Sequence, residues 1–206
     1  MMKKILIWVL LCALVFVPIN SGVLAVDSES GIKDENEQQG ENQKAPVVEN
    51  VPFEIKARSA LLMCANTGDI IFEMNSDEKR PIASITKIMT MLLVMEAIAQ
   101  NKISLNDVVV VSENAAGMGG SQVYLAAGEE FTVHDLLKAV AVHSANDASV
   151  ALAEHVAGSE GVFVSLMNEK ARELGMNNTY FLDCSGLTDE GHYSTARDVA
   201  IMAREL

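Results

Sequence analysis

The chain has 206 residues, of which 50% are hydrophobic, and a formal net charge of -13. This length is enough for one domain of ordinary size. The negative charge argues against nucleic acid as a partner and against binding an anionic membrane surface through a basic patch. Much of the acidity lies near the N-terminus, so it says nothing about a substrate.

Residues 1–25 have the composition of an export signal. Lys3 and Lys4 form a basic start, an apolar core follows, and Val-Leu-Ala at 23–25 is a small-residue cleavage site. The alternative is a retained anchor, but the apolar core is short for a membrane span. Residues 26–52, which are acidic and almost free of large apolar side chains, predict a disordered tether. We therefore expect an exported protein with its folded part at 53–206.

The folded part is predicted to combine a hairpin with a group of helices. Apolar runs at 59–65 and 69–74 flank the turn sequence Asn-Thr-Gly, which is typical of a β-hairpin. Apolar periodicity then predicts helices at about 84–100, 132–143, 147–157, 160–174 and 194–206. This order of elements predicts an α/β fold with a sheet edge and a helical cluster.

The first of these helices carries a chemical motif, S-x-x-K, in Ser84 and Lys87. Pro81, a short polar step and a long apolar run indicate a helix N-terminus, with Ser84 in the first turn and Lys87 on the same face. Burial and the helix dipole disfavour a charged amine there, so a partly neutral Lys87 is expected to activate Ser84 as a nucleophile. The alternative is a capping serine beside a solvent-exposed lysine.

A second S-x-x-K sequence, formed by Ser76 and Lys79, lies shortly before the first. It belongs to a charged stretch with no apolar helix directly after it. We therefore expect a solvated turn in which Lys79 stays protonated and Ser76 is an ordinary alcohol. The surroundings favour Ser84.

An S-x-N sequence, Ser144 and Asn146 separated by one alanine, lies between two predicted helices. Small neighbouring residues suit close helix packing, and we expect the hydroxyl and the carboxamide to point into a cleft. Another S-x-N sequence at 112–114 follows the β-branched run 108–111 and is expected to be an exposed strand end.

The two motifs in this order resemble the penicillin-recognising serine enzymes. The chain is most similar to the D-alanyl-D-alanine carboxypeptidases, which are low-molecular-mass penicillin-binding proteins. The matching stretches lie at 80–90, 119–122, 128–129, 144–148, 186–187 and 192–198. The resemblance runs from about residue 53 to the end and implies a β-lactamase/transpeptidase-like fold with an antiparallel sheet.

The resemblance also implies a reaction. Ser84 would attack the carbonyl between two D-alanines at the end of a peptidoglycan stem peptide, with Lys87 as the base. Ser144 would pass a proton to the departing D-alanine, Asn146 would hold the substrate backbone, and the Ser84 N–H would be one oxyanion donor. β-Lactams would be covalent inhibitors, and neither a cofactor nor a metal would be needed. The enzyme would work on the outer face of the bacterial cytoplasmic membrane or in the cell wall.

Two departures from the family pattern matter. The third motif, K-T-G on a strand, is absent, and the chain stops at Leu206 inside a predicted helix. We therefore expect 53–206 to be the N-terminal part of a catalytic domain, inactive alone, and a membrane anchor after residue 206 remains open. The second departure is Asp183 and Ser185, where many relatives carry Asn and His, so any role of this loop in substrate contact is left open.

Two other functions remain as alternatives. A class A β-lactamase would need a glutamate base after the S-x-N loop, and Glu173 has the wrong spacing for it. A non-catalytic cell-wall module of the same fold is supported by the missing third motif.

Cys64, expected in a strand, could pair with Cys184. The histidines are too scattered to suggest metal ligands; they are His134, His143, His155 and His192.

Overall fold

A computed structural model describes residues 54–188 and 190–206. The predicted signal and tether lie outside the described residues. The strands are β1 (Ala60–Met63), β2 (Ile70–Met74), β3 (Val108–Val110) and β4 (Glu130–Thr132). The α-helices are α1 (Lys87–Ala99), α2 (Glu113–Ala116), α3 (Val133–His143), α4 (Asn146–Ala157), α5 (Glu160–Glu173) and α6 (Ala196–Glu205).

The predicted hairpin is present. Strands β1 and β2 pair antiparallel, and Gly68 occupies the left-handed region in the turn between them with φ 79°. Helix α6 packs against β1, and its Arg204 donates from Nε to the Ala65 carbonyl at 3.0 Å. The end of the described chain is thereby fastened to its first strands.

A second antiparallel pair, β3 with β4, was not predicted. It matches Val108 with Thr132, so it joins the β-branched run to residues directly before α3. Thr132 ends β4 and also caps α3, since its side chain accepts from the Asp135 N–H. Each of these strands has only three residues, which is too short for an alternating pattern to be recognised.

Helix α4 forms the centre of the helical cluster. Every residue from 146 to 153 is buried, and α1, α2, α3 and α5 all pack against this helix. Its alanines at 148, 151 and 153 let the neighbouring helices approach closely. The start of α4, which carries the S-x-N asparagine, is therefore held in the core.

The first helix differs from the prediction at its beginning. Residues Ala83–Thr86 form a single 3₁₀ turn, and α1 begins only at Lys87. Ala83 has φ 44°, in the left-handed region, which a regular helix excludes.

Among the described residues no single helix is long and apolar enough to cross a membrane; α4 and α5 meet that test only as a pair bent by 83°.

Candidate active site

Ser84 lies at an exposed position in the 3₁₀ turn rather than in the first α-helical turn. The turn is held from outside by Gly186, which has φ 79°. A Cβ at Gly186 would lie 1.8 Å from the Ala83 carbonyl oxygen, so only glycine permits this approach. The loop around Gly186 therefore helps to define the shape of the turn that presents Ser84.

Lys87 is almost completely buried, with 3% of its surface exposed. Its Nζ lies 3.0 Å from Ser84 Oγ and donates to the Ser185 carbonyl at 2.7 Å. Burial lowers the pKa of Lys87, while the charges of Cys184 and Asp183 act in the opposite direction. Burial raises the pKa of the Cys184 thiol, so this thiol is uncharged at neutral pH. Of these two groups, only Asp183 then carries a negative charge near the amine. Burial thus shifts this amine toward its neutral form, and its Nζ lies within hydrogen-bond range of the Ser84 hydroxyl.

The loop that carries Ser185 is folded around the carboxylate of Asp183. One carboxylate oxygen accepts from the N–H groups of Ser185, Gly186 and Leu187, and the other accepts from Thr188 at 2.8 Å. Burial raises the pKa of Asp183, but these N–H donors outweigh it and hold the pKa at about 2. The contact of this loop with Lys87 is made by a backbone carbonyl, which the identities of the side chains at 183 and 185 do not reveal.

Two threonines, Thr86 in the 3₁₀ turn and Thr90 in α1, also form hydrogen bonds with residues between 181 and 193. Thr86 Oγ1 lies 2.8 Å from His192 Nε2, and Thr90 donates to the Cys184 carbonyl at 2.6 Å. His192 is 1% exposed and accepts at Nδ1 from the Leu182 N–H at 3.2 Å. His192 belongs to the stretch 192–198 that matches the family, but no pattern in the sequence relates it to Thr86.

Ser144 and Asn146 lie at the junction of α3 and α4. Ser144 follows α3 with φ 55° and is half-buried, and its hydroxyl makes no hydrogen bond with the described residues. Asn146 opens α4, and its Nδ2 donates to the Gly119 carbonyl at 2.7 Å. Its backbone N–H donates to the Ser121 carbonyl, also at 2.7 Å. The carboxamide therefore uses its nitrogen to hold a neighbouring segment and retains Oδ1 as an acceptor.

That neighbouring segment, 119–125, is also held by the buried Asp147. The carboxylate accepts from the N–H groups of Val123 and Leu125 at 3.1 and 3.0 Å. Between them Tyr124 has φ 60° and is 84% exposed. Consecutive residues of α4 thus fasten both ends of a segment that lies beside the S-x-N element.

The second S-x-x-K sequence at 76–79 and the other S-x-N sequence at 112–114 both have structural roles. The expectation that Ser76 lies in a solvated turn was wrong: it is 5% exposed and donates to Glu73 at 2.6 Å, beside Arg197. Its partner Lys79 lies over the Tyr193 ring. Ser112 caps α2 rather than ending a strand, and its hydroxyl donates to a carboxylate of α4 at 2.6 Å.

The remaining candidate groups add no site. Cys64 and Cys184 are both free thiols, so the disulfide that was considered is not formed. Cys64 follows β1 instead of lying within it. Within residues 54–188 and 190–206 no group of three His, Cys, Asp or Glu side chains is arranged to hold a metal ion.

The fold resembles that of known penicillin-binding proteins. The D-alanyl-D-alanine carboxypeptidase DacD from Francisella tularensis superposes with a TM-score of 0.73 at 41% identity, over 79% of this chain and 39% of that one. Penicillin binding protein 5 from Haemophilus influenzae gives 0.72 at 39% identity, over 75% and 46%. The fold is thus the β-lactamase/transpeptidase-like fold of penicillin-binding proteins.

Sequence comparison narrows this class to one family. The D-alanyl-D-alanine carboxypeptidase family model matches residues 42–206. D-alanyl-D-alanine carboxypeptidase DacF of Bacillus subtilis is 56% identical over 151 residues, which is 73% of this chain and 39% of that protein. The chain belongs to the D-alanyl-D-alanine carboxypeptidase family of serine peptidases. It spans between 39% and 46% of the lengths of these three relatives.

Proposed function

We propose that the protein containing this chain is a serine-type D-alanyl-D-alanine carboxypeptidase that removes the terminal D-alanine from peptidoglycan stem peptides. The observation that carries the proposal is the contact between Ser84 and Lys87: a solvent-accessible hydroxyl lies 3.0 Å from the amine of a lysine that is only 3% exposed. A buried amine with a lowered pKa next to an exposed hydroxyl is the arrangement that an activated serine needs.

The first step is acylation of Ser84. Neutral Lys87 takes the hydroxyl proton as Oγ attacks the carbonyl carbon between the two D-alanines, and a tetrahedral oxyanion forms. The N–H of Ser84, near the start of the 3₁₀ turn, is one donor to that oxyanion. The C–N bond then breaks, the leaving amine receives a proton through Ser144, and D-alanine departs. Water hydrolyses the remaining ester and restores Ser84.

Asn146 is assigned to substrate binding. Its Nδ2 already donates to the Gly119 carbonyl, so Oδ1 is the atom that would accept from a backbone N–H of the stem peptide. β-Lactams, whose strained amide takes the place of the D-alanyl-D-alanine bond, would acylate the same Ser84 and act as inhibitors. The reaction uses no metal and no cofactor.

The location follows from the substrate. Peptidoglycan lies outside the bacterial cytoplasmic membrane, so the enzyme would act at the outer face of that membrane or in the cell wall. The signal sequence proposed at 1–25 would provide export, and the acidic tether at 26–52 would separate the catalytic domain from it. Mass spectrometry of the secreted protein would locate the new N-terminus after residue 25.

Labelling with a fluorescent penicillin tests the function directly. It should be done on the gene product at its full length, with Ser84→Ala and, as a matched control from the other S-x-x-K sequence, Ser76→Ala. We expect one labelled peptide containing Ser84, loss of label in Ser84→Ala, and retention in Ser76→Ala. Release of D-alanine from a peptide ending in D-alanyl-D-alanine should follow the label. Absence of both label and release from the folded protein would instead favour the non-catalytic cell-wall module.

A further inference from the structure

His192 makes a buried hydrogen bond to the turn that carries the nucleophile. Its Nε2 lies 2.8 Å from Thr86 Oγ1, and the two residues are 1% and 0% exposed. Thr86 stands between Ser84 and Lys87 in the chain and immediately precedes α1. A contact with Thr86 therefore acts on the backbone that carries both reacting groups.

The environment of the ring fixes which nitrogen bears the proton. The Leu182 N–H points to Nδ1 at 3.2 Å, so Nδ1 is an acceptor and a neutral ring carries its hydrogen on Nε2. Asp183 Oδ2 lies 3.7 Å from the same Nδ1, which is beyond hydrogen-bond range. Phe181 also packs its ring edge-on against the imidazole, with 5.6 Å between centroids. The Leu182 N–H therefore assigns the donor role to Nε2, which faces Thr86 Oγ1.

The turn that receives this bond requires external support. Ala83 occupies the left-handed region with φ 44°, a conformation that is unfavourable for a residue with a side chain. The loop that contacts the turn through Gly186 also supplies the Ser185 carbonyl that accepts from Lys87. His192 bonds to both parts: to Leu182 in that loop and to Thr86 in the turn.

We propose that His192 is a positioning residue for acylation: through Thr86 and Leu182 it holds the Ser84 turn and the 182–188 loop in the relative position that places the Lys87 amine on Ser84 Oγ. This proposal rests on the proposed acylation of Ser84. It assigns no proton transfer to the imidazole, which touches neither the substrate nor a reacting atom.

Four variants of the full-length protein test the proposal. His192→Leu removes both hydrogen bonds, and Thr86→Val removes the hydroxyl with little change of shape. His192→Gln keeps a donor and an acceptor on a side chain of comparable reach. Thr90→Val is the matched control, because Thr90 lies four residues after Thr86, in α1, and donates to the same loop but is outside the turn. The readouts are the rate constant for acylation by penicillin at saturation, the penicillin concentration giving half that rate, and the melting temperature.

The expected results separate positioning from packing. His192→Leu and Thr86→Val should each lower the saturating rate by about 100-fold, the loss typical of a misplacement of about 1 Å, with the half-saturating concentration little changed. The double variant should be no slower than His192→Leu, because that substitution already removes the bond to Thr86. His192→Gln should recover most of the rate. If Thr90→Val and Thr86→Val lower the melting temperature by the same amount, the saturating acylation rate of Thr90→Val should still be at least about tenfold higher.

Several outcomes would overturn the proposal. One is a double variant whose loss of acylation rate equals the product of the two single losses. Another is a Thr90→Val rate as low as that of Thr86→Val. A third is a His192→Gln variant that melts like the wild type but recovers none of the rate. A ¹⁵N spectrum showing the His192 proton on Nδ1 would also contradict it. Failure here is distinguishable from failure of the proposed function: if the wild type is labelled at Ser84 while these variants keep its rate, only the role of His192 is wrong.

Discussion

The two sides of the candidate site are held in different ways. On one side, residues 181–193 bond directly to the turn and helix that carry the reacting groups, through Thr86 and Lys87. On the other side, residues 119–125 bond to Asn146 and Asp147 of α4. In the part of the chain that the structure describes, no hydrogen bond joins the two sides. They come near each other at Gly120, where a Cβ would lie 3.5 Å from a Leu187 methyl group.

This difference separates chemistry from substrate binding. In the proposed mechanism, the 181–193 side determines the distance between the base Lys87 and the nucleophile Ser84, so substitutions there should lower the acylation rate more than the affinity for penicillin. The 119–125 side holds the asparagine that we assign to the substrate, so substitutions there should act on binding and on stability.

Lys87→Arg should have the largest effect. Arginine keeps a positive charge but offers no neutral amine, so acylation should fall on the order of a thousand-fold, about as far as in Lys87→Ala. The measurement is the rate of fluorescent penicillin labelling, and Lys79→Arg in the other S-x-x-K sequence is the control. A near-normal rate in Lys87→Arg would mean that Lys87 acts only as a cation.

Gly186→Ala should come next. Its Cβ would lie 1.8 Å from the Ala83 carbonyl oxygen, so the loop or the nucleophile turn must move. A shift of this kind should lower the acylation rate by about 100-fold and should also lower the melting temperature. Gly128→Ala is the control for backbone strain, because Gly128 has φ 82° with nothing within 4 Å of its Cβ position, so alanine there is strained without a clash. Equal acylation losses in the two variants would show that backbone strain alone explains the effect.

Local patterns in the sequence predicted much of the site. The contact between Ser84 and Lys87 follows from a spacing of three residues, which brings side chains together in a 3₁₀ turn as well as in an α-helix. The hairpin and the long helices follow from apolar periodicity and from turn residues such as Gly68. The 3₁₀ turn itself was missed because its geometry depends on Gly186, which is far away in the sequence.

The second group of site residues could not be found from local patterns. Ser185 contributes a carbonyl, which every residue has, and His192 meets Thr86 across 106 positions of the chain. The same limitation explains the error at Ser76, where the local charges suggested a solvated turn. The buried position depends on Arg197 of α6, which bonds to Glu73 and to Ser76.

The pH dependence of acylation should report the environment of Lys87. The rate should rise as pH increases through the pKa of Lys87 and should level off above it, because the neutral amine is the base; burial places that pKa below 10.5. Asp183→Asn removes a negative charge that raises this pKa, so the midpoint of the profile should move to lower pH. The plateau rate should fall, because the amide nitrogen cannot replace a carboxylate oxygen as acceptor of the loop N–H groups.

Glu160→Gln is the control for this prediction. Glu160 accepts from the Cys184 N–H in the same loop, but its charge is not among those that act on the Lys87 amine. A profile that moves equally in both variants, or toward higher pH in Asp183→Asn, would contradict the assignment. The loop itself should persist below neutral pH, because Asp183 has a pKa lowered from 3.8 to about 2: its contribution to stability is complete above the higher value and is lost as the pH falls through the lower one.

The smallest effect is expected at Tyr124, on the substrate-binding side. This residue has φ 60° and is 84% exposed, so it bears backbone strain with little burial in return. Tyr124→Gly should relieve about 1–2 kcal/mol of strain and lose about 0.5–1 kcal/mol to the entropy of the unfolded chain. The net result is a small gain in the free energy of unfolding, measured by denaturant titration. Tyr124→Ala keeps the strain and should show no gain, so an alanine variant as stable as the glycine variant would rule out strain as the cause. Acylation by penicillin should change little in either, because the 119–125 segment forms no hydrogen bond to the described residues around Ser84.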